Sequence, residues 1–114
     1  MELEENIELL NSFKQFLPGW NGVDSDVIPH EFIDISLNHI SKFAIQPRIT
    51  PYDNGICLEW ATGNDDLIQV NISDNIEYIV SIEQDLVYDQ VIEAKFLSPY
   101  VNRILKQELK NTHY

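Results

Sequence analysis

Hydrophobic residues recur at two different periods along this chain of 114 residues, and the change of period separates helical from extended segments. From Glu2 to Leu17 the apolar residues follow one another at intervals of three or four, which is the spacing of one face of an α-helix. A second stripe with this spacing runs from Ile33 to Ala44, behind Pro29, a residue type favoured at the first helical position. The two segments predict an N-terminal helical hairpin.

From Gln46 onward the apolar residues alternate with polar ones, which is the pattern of strands with one buried face. The alternating positions are Ile56, Leu58 and Trp60, then Ile68, Val70 and Ile72, then Ile76, Tyr78, Val80 and Ile82. The turn-forming stretches between and before them are Asp53-Asn54-Gly55, Gly63-Asn64-Asp65-Asp66 and Ser73-Asp74-Asn75. An additional strand near Arg48 to Tyr52 would lie at an edge, because Pro47 and Pro51 cannot donate to a ladder. We therefore predict an antiparallel meander of three to five strands.

The C-terminal part contains one ambiguous and one clear segment. The stretch from Asp85 to Leu97 fits a broken strand pattern slightly better than a helix. Ser98 followed by Pro99 is typical of a helix cap and first turn, and apolar spacing from Val101 to Leu109 predicts the helix itself. The whole chain, 1–114, is predicted to be one α+β domain whose helices pack on one face of the sheet.

Acidic residues dominate the charge, with 19 Asp and Glu against seven Lys and Arg, a formal net charge of −12. This balance argues against direct binding to nucleic acids or to anionic membrane surfaces, since both require basic residues. The single cysteine excludes an internal disulfide and, with an N-terminus too acidic for a signal peptide, predicts a cytoplasmic protein.

The negative charge is concentrated in the predicted sheet. Residues 49–94 contain ten acidic side chains and no Lys or Arg, whereas residues 95–114 carry four basic residues and one acidic one. Glu59 and Glu77 fall on the polar face of the strands, and Asp65, Asp66 and Asp74 fall in the turns at its rim. Two interpretations follow: a solvated face kept soluble by like charge, or a docking surface for a basic partner or a surrogate for a phosphate backbone. Like charges on neighbouring strands oppose pairing, and this mild cost is the reason to consider the second interpretation.

Residues that could carry chemistry are few. His30 and His39 are nine residues apart and would face opposite sides of a helix, and Cys57 has no histidine near it in the sequence, so we expect an inert thiol. Asp24 with Asp26, and the 64–66 turn, could bind a hard cation, but turn formation explains them equally well. We therefore predict no catalytic residues, no metal site and no cofactor.

Trp20 lies in a glycine-flanked connector between the two predicted helices. It either covers the core there or is exposed as an aromatic anchor for a partner. The leading prediction is a non-enzymatic acidic binding module of the inhibitor, antitoxin or immunity type. The alternative is a small-molecule or metal sensor that uses the Trp20 connector.

Two sequence stretches, LPGWNGVDSDVIPHEFID and PYDNGICLEW, resemble a family of small bacterial and phage-borne proteins with a Gly-Trp-x-Gly connector and a Leu-Glu-Trp strand. The matching positions are Gly19, Trp20, Gly22, Pro29, Glu31, Gly55, Leu58, Glu59 and Trp60. The resemblance implies an α+β module and no catalytic residues.

Overall fold

The chain folds in the order helix, helix, five strands, helix. A computed structural model describes residues 2–20, 27–52, 55–61 and 65–107. The helices are α1 (Leu3–Ser12), α2 (His30–Ile40) and α3 (Leu97–Gln107), with short 3-10 turns at Phe13–Gln15 and Ala94–Phe96. The strands are β1 (Arg48–Tyr52), β2 (Gly55–Ala61), β3 (Leu67–Ile72), β4 (Ile76–Ile82) and β5 (Asp85–Ile92).

The five strands form one antiparallel sheet in the order β1-β2-β3-β4-β5, so each strand pairs with its neighbours in the sequence. This confirms the predicted meander at its upper limit and places β1 at an edge. The ambiguous stretch after Asp85 is a strand up to Ile92, where the second 3-10 turn and α3 follow. Residues buried on the core face of the sheet include Ile49, Ile56, Leu58, Trp60, Ile68, Val70, Ile72, Ile76, Tyr78 and Val80.

The three helices cover that apolar face, as the sequence predicted. Leu10 in α1, Ile33 in α2 and Val101 in α3 are fully buried in the shared core. The structure corrects the prediction for Leu17, which the helical spacing placed on the buried face of the first helix. Its side chain is 73% exposed. α1 ends at Ser12, and the chain becomes extended after the 3-10 turn, so the helical phase no longer points Leu17 at the core.

The start of α3 also differs from the prediction. The helix begins at Leu97, so Ser98 lies inside its first turn instead of capping it. The Ser98 hydroxyl is buried and shares a hydrogen bond with Nδ1 of His39 in α2. Ser98 therefore links α3 to α2 through its side chain. The local sequence around Ser98 cannot distinguish this role from that of a helix cap.

His39 makes the stability of this helix contact depend on pH. Burial lowers the pKa of His39 below its ordinary value of 6.5, the charge of Lys42 lowers it further, and a hydrogen bond to the Ala94 carbonyl opposes the shift. The folded protein therefore keeps a neutral imidazole where the unfolded chain takes up a proton. This contribution to stability is complete above pH 6.5 and is lost as pH falls below that value through the lowered folded pKa.

We expect the free energy of unfolding in urea to fall between about pH 7.5 and about pH 5.5, and the fall to be smaller in the variant His39→Gln. The matched control is His30→Gln, since His30 is exposed at the start of α2. Equal pH dependence in the wild type and in His39→Gln would contradict the assignment.

The segment between α2 and β1 is held by side chains from two other elements. Nδ2 of the buried Asn6 in α1 donates to Oε1 of Gln46 at 3.0 Å and to the Pro47 carbonyl at 3.2 Å. Nε1 of Trp60 in β2 donates to the Ile45 carbonyl at 2.7 Å. These bonds fix where β1 enters the sheet. The sequence did not predict a buried role for Asn6, whose type usually favours the surface.

Candidate functional site

The second face of the sheet is the candidate functional surface, because no helix covers it within the described part of the chain. We call it the open face. Its side chains form cross-strand rows that follow from the register of the ladders. One row is Thr50, Cys57, Asn71, Glu77 and Val91, and the next is Arg48, Glu59, Gln69, Ile79 and Asp89.

Glu59 and Glu77 lie near the centre of the open face, on β2 and β4, with β3 between them. Strand spacing and rise place their positions roughly 12 Å apart, in adjacent rows. Between them on β3, Nε2 of Gln69 donates to Oδ1 of Asn71 at 3.2 Å. Arg48 is in register with Glu59 on the edge strand, but among the described residues no ion pair joins either glutamate to a base. The two carboxylates therefore face solvent without a cationic partner.

The open face contains a shallow cavity of about 600 Å³. Its lining is polar over β2 and β3 and includes both glutamates. Tyr52 lines the cavity on β1, and Val91 lines it on β5. The lining residues are Thr50, Tyr52, Cys57, Glu59, Gln69, Asn71, Ser73, Asn75, Glu77 and Val91. A concave surface of this kind can receive a protruding side chain or an extended segment of a partner.

The predicted rim acids do not form one cluster. Asp65 is exposed beside the β2–β3 turn, whereas Asp74 is exposed in the β3–β4 turn at the opposite end of the sheet. Asp74 lines a second cavity of about 490 Å³ beside the start of α2. Both acids could contact a partner that covers the whole length of the face.

Asp66 does not belong to the docking surface, although the sequence predicted it at the rim. It is only 3% exposed, and its Oδ1 accepts a hydrogen bond from the backbone N–H of Glu83 at 2.9 Å. The side chain holds the β4–β5 turn from inside and cannot contact a partner. The sequence places it in a turn but cannot show that a neighbouring turn lies within reach.

Trp20 is half-buried on the helix side of the sheet, away from the open face. Its ring stacks on Phe16 with centroids 4.6 Å apart and packs against the core. This favours the interpretation of Trp20 as a cover of the core. The remainder of the connector, including Asp24 and Asp26, lies outside the described residues, so the sensor hypothesis stays a prediction.

The open face holds the only cysteine of the sequence, Cys57, as a half-buried thiol. Burial raises the pKa of Cys57, and the charge of Glu59 raises it further. The group is therefore a protonated thiol at neutral pH and lacks the thiolate that nucleophilic chemistry requires. Among the described residues, no group of three or more His, Cys, Asp or Glu side chains could hold a metal ion.

Alternation along the strands placed Glu59, Asn71, Glu77 and Ile79 on the polar face, where the structure has them. The sequence did not predict Tyr52 and Val91 there. Tyr52 joins the open face because β1 pairs along β2, and Val91 joins it because β5 pairs with β4. The pairing of β5 with β4 could not be inferred, because the bulged strand interrupts the alternation.

A scan against protein-family models and searches of curated proteins and of solved structures found no match to this chain. The resemblance to small bacterial and phage-borne proteins therefore stays a prediction based on its two sequence stretches. Among the described residues, no helix is long and apolar enough to cross a membrane.

Proposed function

We propose that this protein is a non-enzymatic binding module that docks a basic protein on its open face and acts as an inhibitor of the antitoxin or immunity type. The observation that carries the proposal is the pair Glu59 and Glu77, which share a concave, uncovered surface and have no ion-pair partner among the described residues. In the ladders no acid lies directly opposite either glutamate, so the uncovered surface that they share, and not repulsion between strands, supports the proposal.

The charges of the sheet region support a basic partner in preference to a nucleic acid. Asp89 lies on the same face, Asp65 and Asp74 lie at its two ends, and Arg48 is the only Lys or Arg in the two rows. Such a field attracts a positively charged protein and accelerates its association, whereas it repels a phosphate backbone. The effect is screened by salt, so the association rate should fall as ionic strength rises.

The charge-reversed variant Glu59→Lys/Glu77→Lys tests the proposal. A basic protein that co-purifies with the wild type is expected to associate with this variant about tenfold more slowly at low salt, because the steering field is reversed at its centre. Stopped-flow or surface-based kinetics at low and at physiological ionic strength would measure the rates.

The matched control is Glu4→Lys/Glu8→Lys on the exposed side of α1. It changes the net charge equally, from −12 to −8, without altering the open face. Thermal unfolding of both variants would show that each is folded. If both variants associate at the same rate, net charge alone explains the attraction and docking on the open face is rejected.

A further inference from the structure

The two edges of the sheet differ in how they are protected from added strands. β1 is short, contains Pro51 and follows Pro47, and proline has no N–H to offer a ladder. β5 is the longest strand at eight residues and contains no proline, lysine or arginine. It pairs with β4 on one side only, so its second edge presents backbone N–H and C=O groups to solvent.

Apolar side chains are exposed along this unpaired edge. Leu86 is 61% exposed and Val91 is 63% exposed, both on the open face, where they are in register with Ser81 and Glu77. Tyr88 is 38% exposed on the helix side of the sheet. Edge strands are usually protected by charged residues, proline or a β-bulge, and of these β5 has two aspartates and a bulge.

An aromatic cluster supports β5 on the helix side. The ring centroid of Tyr78 lies 6.2 Å from that of Tyr88 and 5.9 Å from that of Tyr100, and Phe96 stacks on Tyr100 at 5.4 Å. The Tyr78 hydroxyl donates to the Tyr100 carbonyl at 3.3 Å, and burial raises the pKa of Tyr78 to about 12. The cluster therefore forms an apolar surface on the helix side of β5.

The charge beside this edge is negative on the open face and mixed on the helix side. On the open face, Asp89 lies in β5 and Glu77 in β4. On the helix side, Asp85 is in register with Ile82, the Lys95 amine pairs with Glu93 at 3.4 Å, and the Arg103 guanidinium lies 5.3 Å from the centroid of the Tyr100 ring. An added strand would therefore place basic side chains over the open face and apolar side chains beside the aromatic cluster.

A second copy of this chain fits the edge poorly. Both copies would bring Asp85 and Asp89 to the same ladder, and each carries a net charge of −12. The register also shifts between Val80 and Ser81, which leaves Val87 as the extra residue of a β-bulge. The bulge and the acids discourage self-pairing, yet neither prevents pairing with a basic strand.

We propose that the unpaired edge of β5 binds an extended segment of the partner by strand addition, and that this segment alternates basic and apolar residues. The inference rests on the proposed function, since it names the element by which a basic protein would dock. Backbone hydrogen bonds to β5 supply the affinity. The acids of the open face select basic residues on that side, and the aromatic cluster selects apolar residues on the other.

The probe is a capped peptide of alternating lysine and valine, about eight residues long to match β5. Its control contains proline in place of the two central valines and so cannot complete a ladder. On saturation with the probe, we expect the solvent-facing amides of β5 to exchange hydrogen about tenfold more slowly, measured by NMR, and the control peptide to leave them unchanged. Asp89→Lys should weaken probe binding about fivefold, and Glu8→Lys on α1 should not.

The outcomes separate this inference from the proposed function. Shifts at Glu59 and Glu77 without protection of β5 amides would overturn strand addition and leave docking on the open face standing. If the probe does not bind, strand addition is also rejected. Docking on the open face is then still tested by the association rate of Glu59→Lys/Glu77→Lys. Protection that grows with protein concentration in the absence of the probe would identify a second copy as the occupant and reject the basic segment. Protection of β5 together with unchanged kinetics in Glu59→Lys/Glu77→Lys would support the edge and reject the open face.

Discussion

Replacing Gly55 with alanine is expected to lower the free energy of unfolding by about 2 kcal/mol, as overpacking of a tight site does. Gly55 begins β2 and is in register with Tyr52 across the hairpin. A Cβ atom built at Gly55 would lie 2.6 Å from the tip of the Tyr52 ring and 2.8 Å from the Ile72 carbonyl oxygen. The ring can rotate away, but the carbonyl belongs to β3, so the added methyl would push two neighbouring strands apart.

The variants Tyr52→Ala and Gly55→Ala/Tyr52→Ala separate the two contacts. If the backbone contact with Ile72 dominates, adding Gly55→Ala to Tyr52→Ala should still cost more than about 1 kcal/mol in urea unfolding. A double variant as stable as Tyr52→Ala alone would assign the whole effect to the ring. A stable, unperturbed Gly55→Ala single variant would contradict the close approach of β2 and β3 at this point.

The variant Asp66→Ala is expected to lower the free energy of unfolding by about 2 to 3 kcal/mol, because the hydrogen bond that the Asp66 carboxylate accepts from the Glu83 N–H is lost. The turn that it supports is strained. Glu83 and Gln84 join β4 to β5 with φ angles of 51° and 72°, a left-handed conformation that side chains with a Cβ disfavour. Asp65 also supports this turn, because its Oδ2 accepts a hydrogen bond from Nε2 of Gln84 at 3.1 Å.

Two controls make the Asp66 experiment specific. Asp66→Asn keeps an oxygen that can accept from the Glu83 N–H at 2.9 Å and should lose less stability than alanine. Glu83→Asn/Gln84→Gly supplies residues that tolerate positive φ in a two-residue hairpin turn and should stabilise the fold by about 1 kcal/mol. In that background the cost of Asp66→Ala should shrink. A cost below about 0.5 kcal/mol in the wild type would show that Asp66 does not hold the turn.

The prediction from the sequence was most successful for the sheet. Strict alternation at Ile56, Leu58 and Trp60, repeated in the next two strands, can bury only one face, so the facing of each strand follows from the pattern itself. The same alternation placed Glu59 and Glu77 on one polar face, where the structure has them. Side-chain direction in a strand is a local property, and for that reason it could be inferred without any knowledge of distant contacts.

The prediction was less successful where a distant contact decides the role of a residue. Glu83-Gln84 carries no glycine or asparagine that would indicate a turn. Among the described residues, Asp65 and Asp66 hold this left-handed turn by hydrogen bonds. Ser98 has the local appearance of a helix cap, yet its partner is His39, 59 residues earlier.

By itself, the sequence determined the α+β class, the meander, the facing of its strands and the concentration of acidic residues between Arg48 and Lys95. These follow from periodicity and composition, which act over a few residues. Only the tertiary structure decided that Asp66 is buried, that Glu59 and Glu77 share an uncovered concave face, and that β5 has one unpaired edge with exposed apolar side chains. Such properties depend on which segments meet in space, and chain folding brings together residues whose separation along the sequence carries no local signal.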